Sequence, residues 1–251
     1  MRIDLQPAYI LHTRPYRDTS ALIDLLTLDY GLVRAVGRGV RGSRRRMPLQ
    51  QHQPLLVSLS GKGELLTLTH AEAAAPGFYL TGDRLFSAMY LNELLSRLLQ
   101  HQESHPALYR LYQRSLLKLQ QTYPLEPLLR EFEWCLLQEL GYGIDVTDVS
   151  AEKRYSYLDG AGLVEAGTTE MDVMDGGLLL ELAQCYASAT ETQMNAPLLS
   201  TAKRLMRLAL KPLLGNKPLM SRRLFTARSA PGAVPGTVLG TPRLPPDSNT
   251  G

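Results

Sequence analysis

The chain has 251 residues, of which 44% are apolar, so it can bury a substantial core, and we predict two modest domains within this length. Its net charge is only +3, yet residues 1–63 carry ten Lys and Arg against four Asp and Glu, residues 64–191 eight against nineteen, and residues 192–251 nine against one. No 18-residue apolar run is present, and the N-terminus lacks the apolar core of a secretory signal, so we expect a soluble, cytoplasmic protein.

The first seventy residues alternate short apolar runs with turns. Each run has the length and period of a β-strand, and the turns contain Gly, Asp, Pro or Ser. The five predicted strands are residues 8–13, 20–28, 31–39, 53–59 and 63–70. Five short strands form a small barrel, and a partly open barrel of this size is typical of the oligonucleotide-binding (OB) fold.

Basic residues are concentrated in the second half of the predicted barrel, where residues 31–63 contain no Asp or Glu. The cations in this stretch are Arg34, Arg38, Arg41, Arg44, Arg45, Arg46 and Lys62. Such segregation indicates a polyanionic partner, although a solvated surface is the alternative. Period-2 alternation places Leu32, Arg34 and Val36 on one strand face, which leaves the exposure of Arg34 open.

Aromatic residues are sparse in the barrel. Only Tyr9, Tyr16 and Tyr30 precede residue 70, and each is as compatible with a core position as with base stacking. We therefore expect phosphate contacts to outweigh stacking, which gives nucleic-acid binding with little sequence preference and strong salt dependence.

Beyond Thr81 the apolar period becomes helical. Five helices are predicted, at residues 81–100, 106–121, 126–141, 175–188 and 199–215. Residues 142–174 read as an irregular or hairpin insert, and residues 229–251 as a disordered tail. The predicted class is therefore α+β, with an OB-fold domain at residues 1–80 and a helical domain at residues 81–228.

No catalytic or metal-binding constellation stands out. Cys135 and Cys185 lie in apolar helical patterns, where a thiol usually serves as a small core residue. His101 and His105 have the spacing of helical zinc ligands, but the intervening Glu is misplaced for H-E-x-x-H, so we interpret them as a solvated helix end. We predict no metal and no cofactor.

Taken together, the segments resemble the RecO family of bacterial recombination mediators. The resemblance spans roughly residues 8–226 and rests on YRDTSALIDLLTLDYGLVRAVGRGVRGSRRR, GKGELLTLTHAEA, YLNELLSRLL, LLREFEWCLLQELGYG and AKRLMRLALKPLLGNKPLMSRRLF. It implies binding to single- and double-stranded DNA, annealing of complementary strands, and cooperation with RecR in loading RecA onto DNA coated by single-stranded-DNA-binding protein (SSB). It also implies a protein that acts by binding and not as an enzyme, and that associates with the nucleoid through DNA.

The resemblance implies a second site in the helical domain, because the acidic, apolar-ended tail of SSB needs an apolar pocket bordered by cations. The candidate cations are Arg130, Lys203, Arg204, Arg207 and Lys211. Two alternatives stay open: Arg130 could pair with Glu126 on its own helix, and the 203–211 cluster could be a second DNA surface.

One feature departs from the family pattern. Many members carry paired C-x-x-C motifs just after the segment that matches LGYG, whereas residues 144–174 contain no Cys. The chain therefore resembles a branch without zinc. The main rival hypothesis is an RNA-binding OB-fold protein of translation or RNA processing, and a DNA-processing enzyme is disfavoured because a metal constellation is missing.

Overall fold

The N-terminal strands form a closed five-stranded barrel in the computed structural model. The structure describes residues 2–41, 49–167, 172–188 and 194–229, and for 226–229 it describes only the backbone. The strands are β1 (Arg2–Tyr16), β2 (Ser20–Thr27), β3 (Gly31–Gly37), β4 (Leu55–Ser60) and β5 (Leu65–Ala73). Their order is β1-β2-β3-β5-β4, β4 pairs back onto β1, and only β3 and β5 run parallel. This is an OB fold, as the alternating pattern predicted.

The barrel strands bury both of their faces over part of their length. Ile10, Ile23 and Val33 point into the barrel core. Tyr9, on the other face of β1, is fully buried and belongs to a second core shared with the helices, where its ring lies 5.4 Å from that of Tyr109. Tyr9 is thus a core residue and offers no platform for a nucleic-acid base.

A helical region follows the barrel. Its helices are α1 (Gly82–Leu98), α2 (Pro106–Gln120), α3 (Leu125–Glu139), α4 (Gly176–Ala187), α5 (Ala196–Leu214) and α6 (Met220–Ser229). The first five match the predicted helices. A three-stranded sheet with order β7-β6-β8 is formed by β6 (Arg154–Leu158), β7 (Gly162–Glu165) and β8 (Met174–Asp175), and β6 and β7 form a hairpin in the stretch interpreted as irregular or hairpin. None of the described helices is long and apolar enough to cross a membrane.

The sixth helix was missed because its stabilising contacts are distant in sequence. The Glu93 carboxylate accepts hydrogen bonds from the backbone N–H groups of Met220 and Ser221 and from the Ser221 hydroxyl. Glu93 thus satisfies the free N–H groups at the start of α6 from the side of α1. The helix also extends through Ser229, where a disordered tail was predicted to begin, and residues 230–251 lie outside the described part.

The connection between α1 and α2 packs against the barrel. Gln102 donates its backbone N–H to the Leu32 carbonyl at 2.9 Å. Gly31 has φ +59°, and a Cβ there would lie 1.6 Å from the Glu103 carbonyl oxygen, so only glycine fits. The interpretation of His101 and His105 as a solvated helix end is therefore wrong: both follow α1, and the His105 side chain is only 11% exposed.

A buried polar network joins the barrel to the helices. Asn92 on α1 donates to the Leu11 carbonyl at 3.1 Å and accepts from the Tyr112 hydroxyl at 2.5 Å. His52, which is 4% exposed, lies beside Asn92 with 3.4 Å between the Asn92 Nδ2 and His52 Nε2 atoms. Burial lowers the pKa of His52 to about 4, so the ring is neutral at physiological pH.

Candidate nucleic-acid interface

The outer face of β2 and β3 is divided into a covered end and an open end. Leu26 and Leu32 pair across the two strands and are buried against the helices. Leu22 and Val36 pair farther along the same face and are only partly buried. Because directly paired residues share a face of the sheet, the helices cover one half of this surface and leave the other half accessible.

The open end is surrounded by cations near the β1–β2 turn. Arg14 pairs with Leu22, so it lies beside the apolar floor, and Arg17 follows within the turn. Arg38 comes directly after Gly37, which pairs with Ala21, and Arg41 donates its backbone N–H to the Thr19 carbonyl at 3.0 Å. These four exposed residues, Arg14, Arg17, Arg38 and Arg41, are called the turn-end cluster.

The turn-end cluster is free to bind an anion. The ion pairs described within residues 2–41 are Arg2–Asp4 and Arg34–Asp24, so none of the four guanidinium groups is paired within the described part of the chain. Arg17 lies over the Tyr16 ring at 5.3 Å from its centroid. Tyr16 is partly exposed, so one aromatic face is present among the cations. The turn also carries the exposed carboxylate of Asp18.

The seven predicted barrel cations do not form one continuous surface. Arg38 and Arg41 belong to the turn-end cluster, whereas the Arg34 Nε atom lies 2.6 Å from the Asp24 Oδ1 atom in the middle of the face. Lys62 lies in the β4–β5 turn, next to Gly63, whose carbonyl accepts from the Gln102 side chain beside Leu32. Lys62 is therefore at the covered end, roughly 20 Å from Arg38 along β3. Arg44, Arg45 and Arg46 lie outside the described residues.

Arg14 and Arg17 were missed by the sequence reasoning. They are separated by Pro15 and Tyr16, so no run of basic residues marks them, and the nearest basic stretch begins only at Arg34. The pairing of β1 with β2 and of β2 with β3 brings them to Arg38 and Arg41. The available signal was the hairpin itself: a turn at residues 17–19 places its flanking strands side by side.

In the helical region, Arg130 is a core residue. It is 8% exposed and its Nη2 atom lies 2.9 Å from the Oε1 atom of Glu133, which also accepts a short hydrogen bond from the Tyr90 hydroxyl. Burial raises the pKa of Glu133, and Arg130 opposes that effect. The alternative pairing with Glu126 is wrong, because Glu126 instead lies 3.1 Å from the Nζ atom of Lys203.

Most of the predicted α5 cations have partners. Besides the Lys203–Glu126 pair, Arg204 donates to the Val173 carbonyl at 2.6 Å, and Arg207 lies 3.1 Å from the Asp172 carboxylate. Lys211 is exposed one turn beyond Arg207, and no ion pair is described for it. The structure therefore separates Arg130 from this cluster and leaves Lys211 as its least neutralised member.

A cavity of about 240 Å³ lies where α5 ends and α6 begins, and we call it the α5–α6 pocket. Its wall is apolar at Leu210, Leu214 and Leu219. Its basic lining residues are Arg207, Lys211, Lys217 and Arg222. The contribution of Lys217 and Arg222 was not predicted. Lys217 lies in the connection between α5 and α6, and Arg222 lies in α6, the helix that the sequence reasoning missed. An apolar cavity with basic neighbours can accept a peptide that carries both carboxylates and apolar side chains.

Comparison with known proteins agrees with this architecture. Residues 1–76 match the family described as Recombination protein O N terminal, and residues 80–223 match Recombination protein O C terminal. The DNA repair protein RecO of Cellvibrio japonicus is 45% identical over 240 residues, which cover 91% of this chain and 99% of that protein. The DNA repair protein RecO of Stutzerimonas stutzeri is 45% identical over 88% of this chain and 92% of its own length. That of Aliivibrio fischeri is 38% identical over 91% and 98%, respectively.

Proposed function

The chain belongs to the RecO family of DNA repair proteins, and we propose that it binds single- and double-stranded DNA through the turn-end cluster and anneals complementary strands. The observation that carries this proposal is the group of four exposed guanidinium groups at the open end of the barrel, none of which has an ion pair among the described residues. Arginine side chains neutralise phosphates and release the condensed counterions of the nucleic acid, which favours binding without sequence preference. Arg44, Arg45 and Arg46 extend the same basic stretch of sequence and belong to the proposal.

The scarcity of exposed aromatic rings on the barrel strands suits annealing. Tyr9 is buried in the core, and Tyr30 packs against the barrel interior, which leaves Tyr16 as the aromatic residue beside the cluster. A strand held mainly through its phosphates keeps its bases free to pair with a second strand. Neutralised phosphates also reduce the repulsion between the two strands. The protein would thus act by binding, without chemical catalysis of its own.

The turn-end cluster is tested by the salt dependence of binding. We expect Arg38→Gln/Arg41→Gln to weaken binding to a single-stranded oligonucleotide and to lower the slope of log affinity against log salt by about 1.4, at about 0.7 per lost phosphate contact. The matched control is Arg110→Gln/Arg154→Gln, which removes the same charge from exposed positions of the helical region. Equal slopes in both double variants would contradict the proposal.

The same measurement separates DNA from RNA. The RNA-binding alternative requires contacts to the 2′-hydroxyl, so it predicts tighter binding to an RNA oligonucleotide than to DNA of the same sequence. The present proposal predicts similar or weaker affinity for RNA, because phosphate contacts do not distinguish the two. A reproducible preference for RNA of tenfold or more would favour the alternative.

A second proposed activity is the binding of the SSB tail by the helical region. In this proposal the protein cooperates with RecR, and RecA is the protein that is loaded onto the DNA. RecR and RecA enter through family membership alone. For the SSB tail, the α5–α6 pocket supports the proposal, because it combines an apolar wall with the cations Arg207, Lys211 and Lys217. Arg130 is less suited to this role than the sequence suggested, since its guanidinium is buried against Glu133.

Peptide binding tests the pocket. Lys211→Glu/Lys217→Glu should weaken binding of a labelled SSB C-terminal peptide at least tenfold, because the peptide carboxylates would meet like charges. Arg110→Glu/Arg154→Glu, at exposed positions outside the pocket, is the control with the same change in net charge. Unchanged peptide affinity in the pocket variant, or an equal loss in the control, would refute this location.

A further inference from the structure

The ion pair between Asp24 and Arg34 lies at a defined boundary on the barrel surface. His12 on β1 pairs with Asp24 on β2, and Asp24 pairs with Arg34 on β3, so the three residues form one row across the strands. On the covered side of this row, Leu26 and Leu32 are buried against the helices. The Asp24–Arg34 pair is therefore the last accessible row before the helical region.

On the other side of the row lies the floor of the turn-end cluster. Arg14 pairs with Leu22, and Leu22 pairs with Val36, two residues along each strand from the ion pair. Residues two apart along a strand share a face and are separated by about 7 Å. A nucleic-acid strand bound at the turn-end cluster and running inward over Leu22 and Val36 would thus reach Asp24 and Arg34 next.

Asp24 determines how available the Arg34 guanidinium is to such a strand. The 2.6 Å separation of Arg34 Nε and Asp24 Oδ1 is that of a charge-assisted hydrogen bond, and the Asp24 side chain is only 12% exposed. Arg34 is 35% exposed, so its guanidinium can be reached by solvent while one of its donors is occupied. The Asp24–Arg34 pair carries no net charge in this arrangement, in contrast to the four cations at the turn, which have no ion pair within the described residues.

We propose that Asp24 sets the inner limit of the DNA site by holding Arg34 away from phosphate. This inference rests on the proposed DNA binding at the turn-end cluster. A phosphate that approaches Arg34 meets a guanidinium whose charge Asp24 already offsets, and it would lie beside that carboxylate, so the site ends at this row and each molecule occupies a short stretch of strand. Removal of the carboxylate charge frees Arg34 to bind one further phosphate.

The test uses the salt slope of binding to oligothymidylates in the full chain. Asp24→Asn should bind more tightly and should steepen the slope by about 0.7, the increment for one phosphate contact with a single strand. Arg34→Gln in the otherwise unchanged chain should leave the slope unaltered. The double variant Asp24→Asn/Arg34→Gln should return to the original slope, because the freed cation is absent.

The charge-matched control is Asp159→Asn in the exposed β6–β7 turn of the helical region, which changes the net charge equally. The inference is overturned if Asp159→Asn steepens the slope as much as Asp24→Asn does, because net charge alone would then explain the effect. It is also overturned if Arg34→Gln alone lowers the slope by about 0.7, because Arg34 would then already contact phosphate. Asp24→Ser serves as a second variant should Asp24→Asn fold poorly.

The two hypotheses fail in different ways. DNA binding at the turn-end cluster fails if Arg38→Gln/Arg41→Gln changes neither affinity nor slope. The limiting role of Asp24 fails if that double variant does lower the slope while Asp24→Asn and Asp24→Ser behave like the unsubstituted protein.

Discussion

The cations of the barrel and those of the helical region differ in what surrounds them. At the turn-end cluster, four arginines face solvent without an ion pair within the described residues. In the helical region, Arg130 is buried against Glu133, Lys203 is paired with Glu126, and Arg207 is paired with Asp172. Carboxylates near and far in sequence pair with the helical cations, so the difference teaches that neutralisation by neighbouring carboxylates in the fold decides which basic segment can bind a polyanion.

The largest expected effect is a loss of stability on replacement of Arg130, the cation that is buried against a carboxylate. Arg130→Met should lower the free energy of unfolding by about 3 kcal/mol or more, because it leaves Glu133 buried without the guanidinium that pairs with it. Urea denaturation would measure the loss. In Arg130→Met/Glu133→Gln, much of the stability should return, since no buried charge is left. A surface role for Arg130 would instead give a stable single variant with weakened binding to the SSB tail.

The contact between the two regions should be sensitive to acid. The His52 pKa is lowered to about 4 in the folded chain, while the unfolded chain binds a proton near pH 6.5. Between pH 6.5 and pH 4 the unfolded state binds more protons than the folded state. The free energy of unfolding therefore decreases as the pH falls through this range, and His52 accounts for up to about 3 kcal/mol of the decrease. Thermal unfolding at several pH values would measure this loss.

The control for this pH dependence is His52→Asn. The backbone φ at position 52 is +59°, which Asn tolerates better than most residues, and Asn does not titrate. This variant should lose part of the pH dependence whatever its absolute stability. An identical pH profile in both proteins would show that other groups are responsible.

A direct comparison of single arginines sharpens the contrast between the regions. Arg38→Gln should lower the salt slope of DNA binding by about 0.7, whereas Arg207→Gln should change it by much less, because Asp172 already neutralises Arg207. Both measurements use the same oligonucleotide in fluorescence anisotropy titrations. Equal changes in slope would indicate that α5 is a second DNA surface, the alternative that the sequence left open.

The smallest expected effect is that of chelation. With no Cys in residues 144–174, and no group of three or more His, Cys, Asp or Glu placed to hold a metal within the described chain, the purified protein should contain no stoichiometric zinc. Its Tm should be the same with and without chelator. Elemental analysis that finds one zinc per chain would contradict this prediction.

The amino-acid sequence alone determined the OB barrel and the first five helices, because period-2 and helical apolar patterns reflect interactions between near neighbours. It also determined the family and the basic character of the barrel. Only the tertiary structure decided that Tyr9 and Arg130 are buried, that α6 forms on the Glu93 carboxylate, and that Arg14 and Arg17 join Arg38 and Arg41. The Tyr9–Tyr109 ring contact and the Glu93–Met220 hydrogen bond join residues 100 and 127 positions apart, and a local apolar pattern carries little information about such pairings.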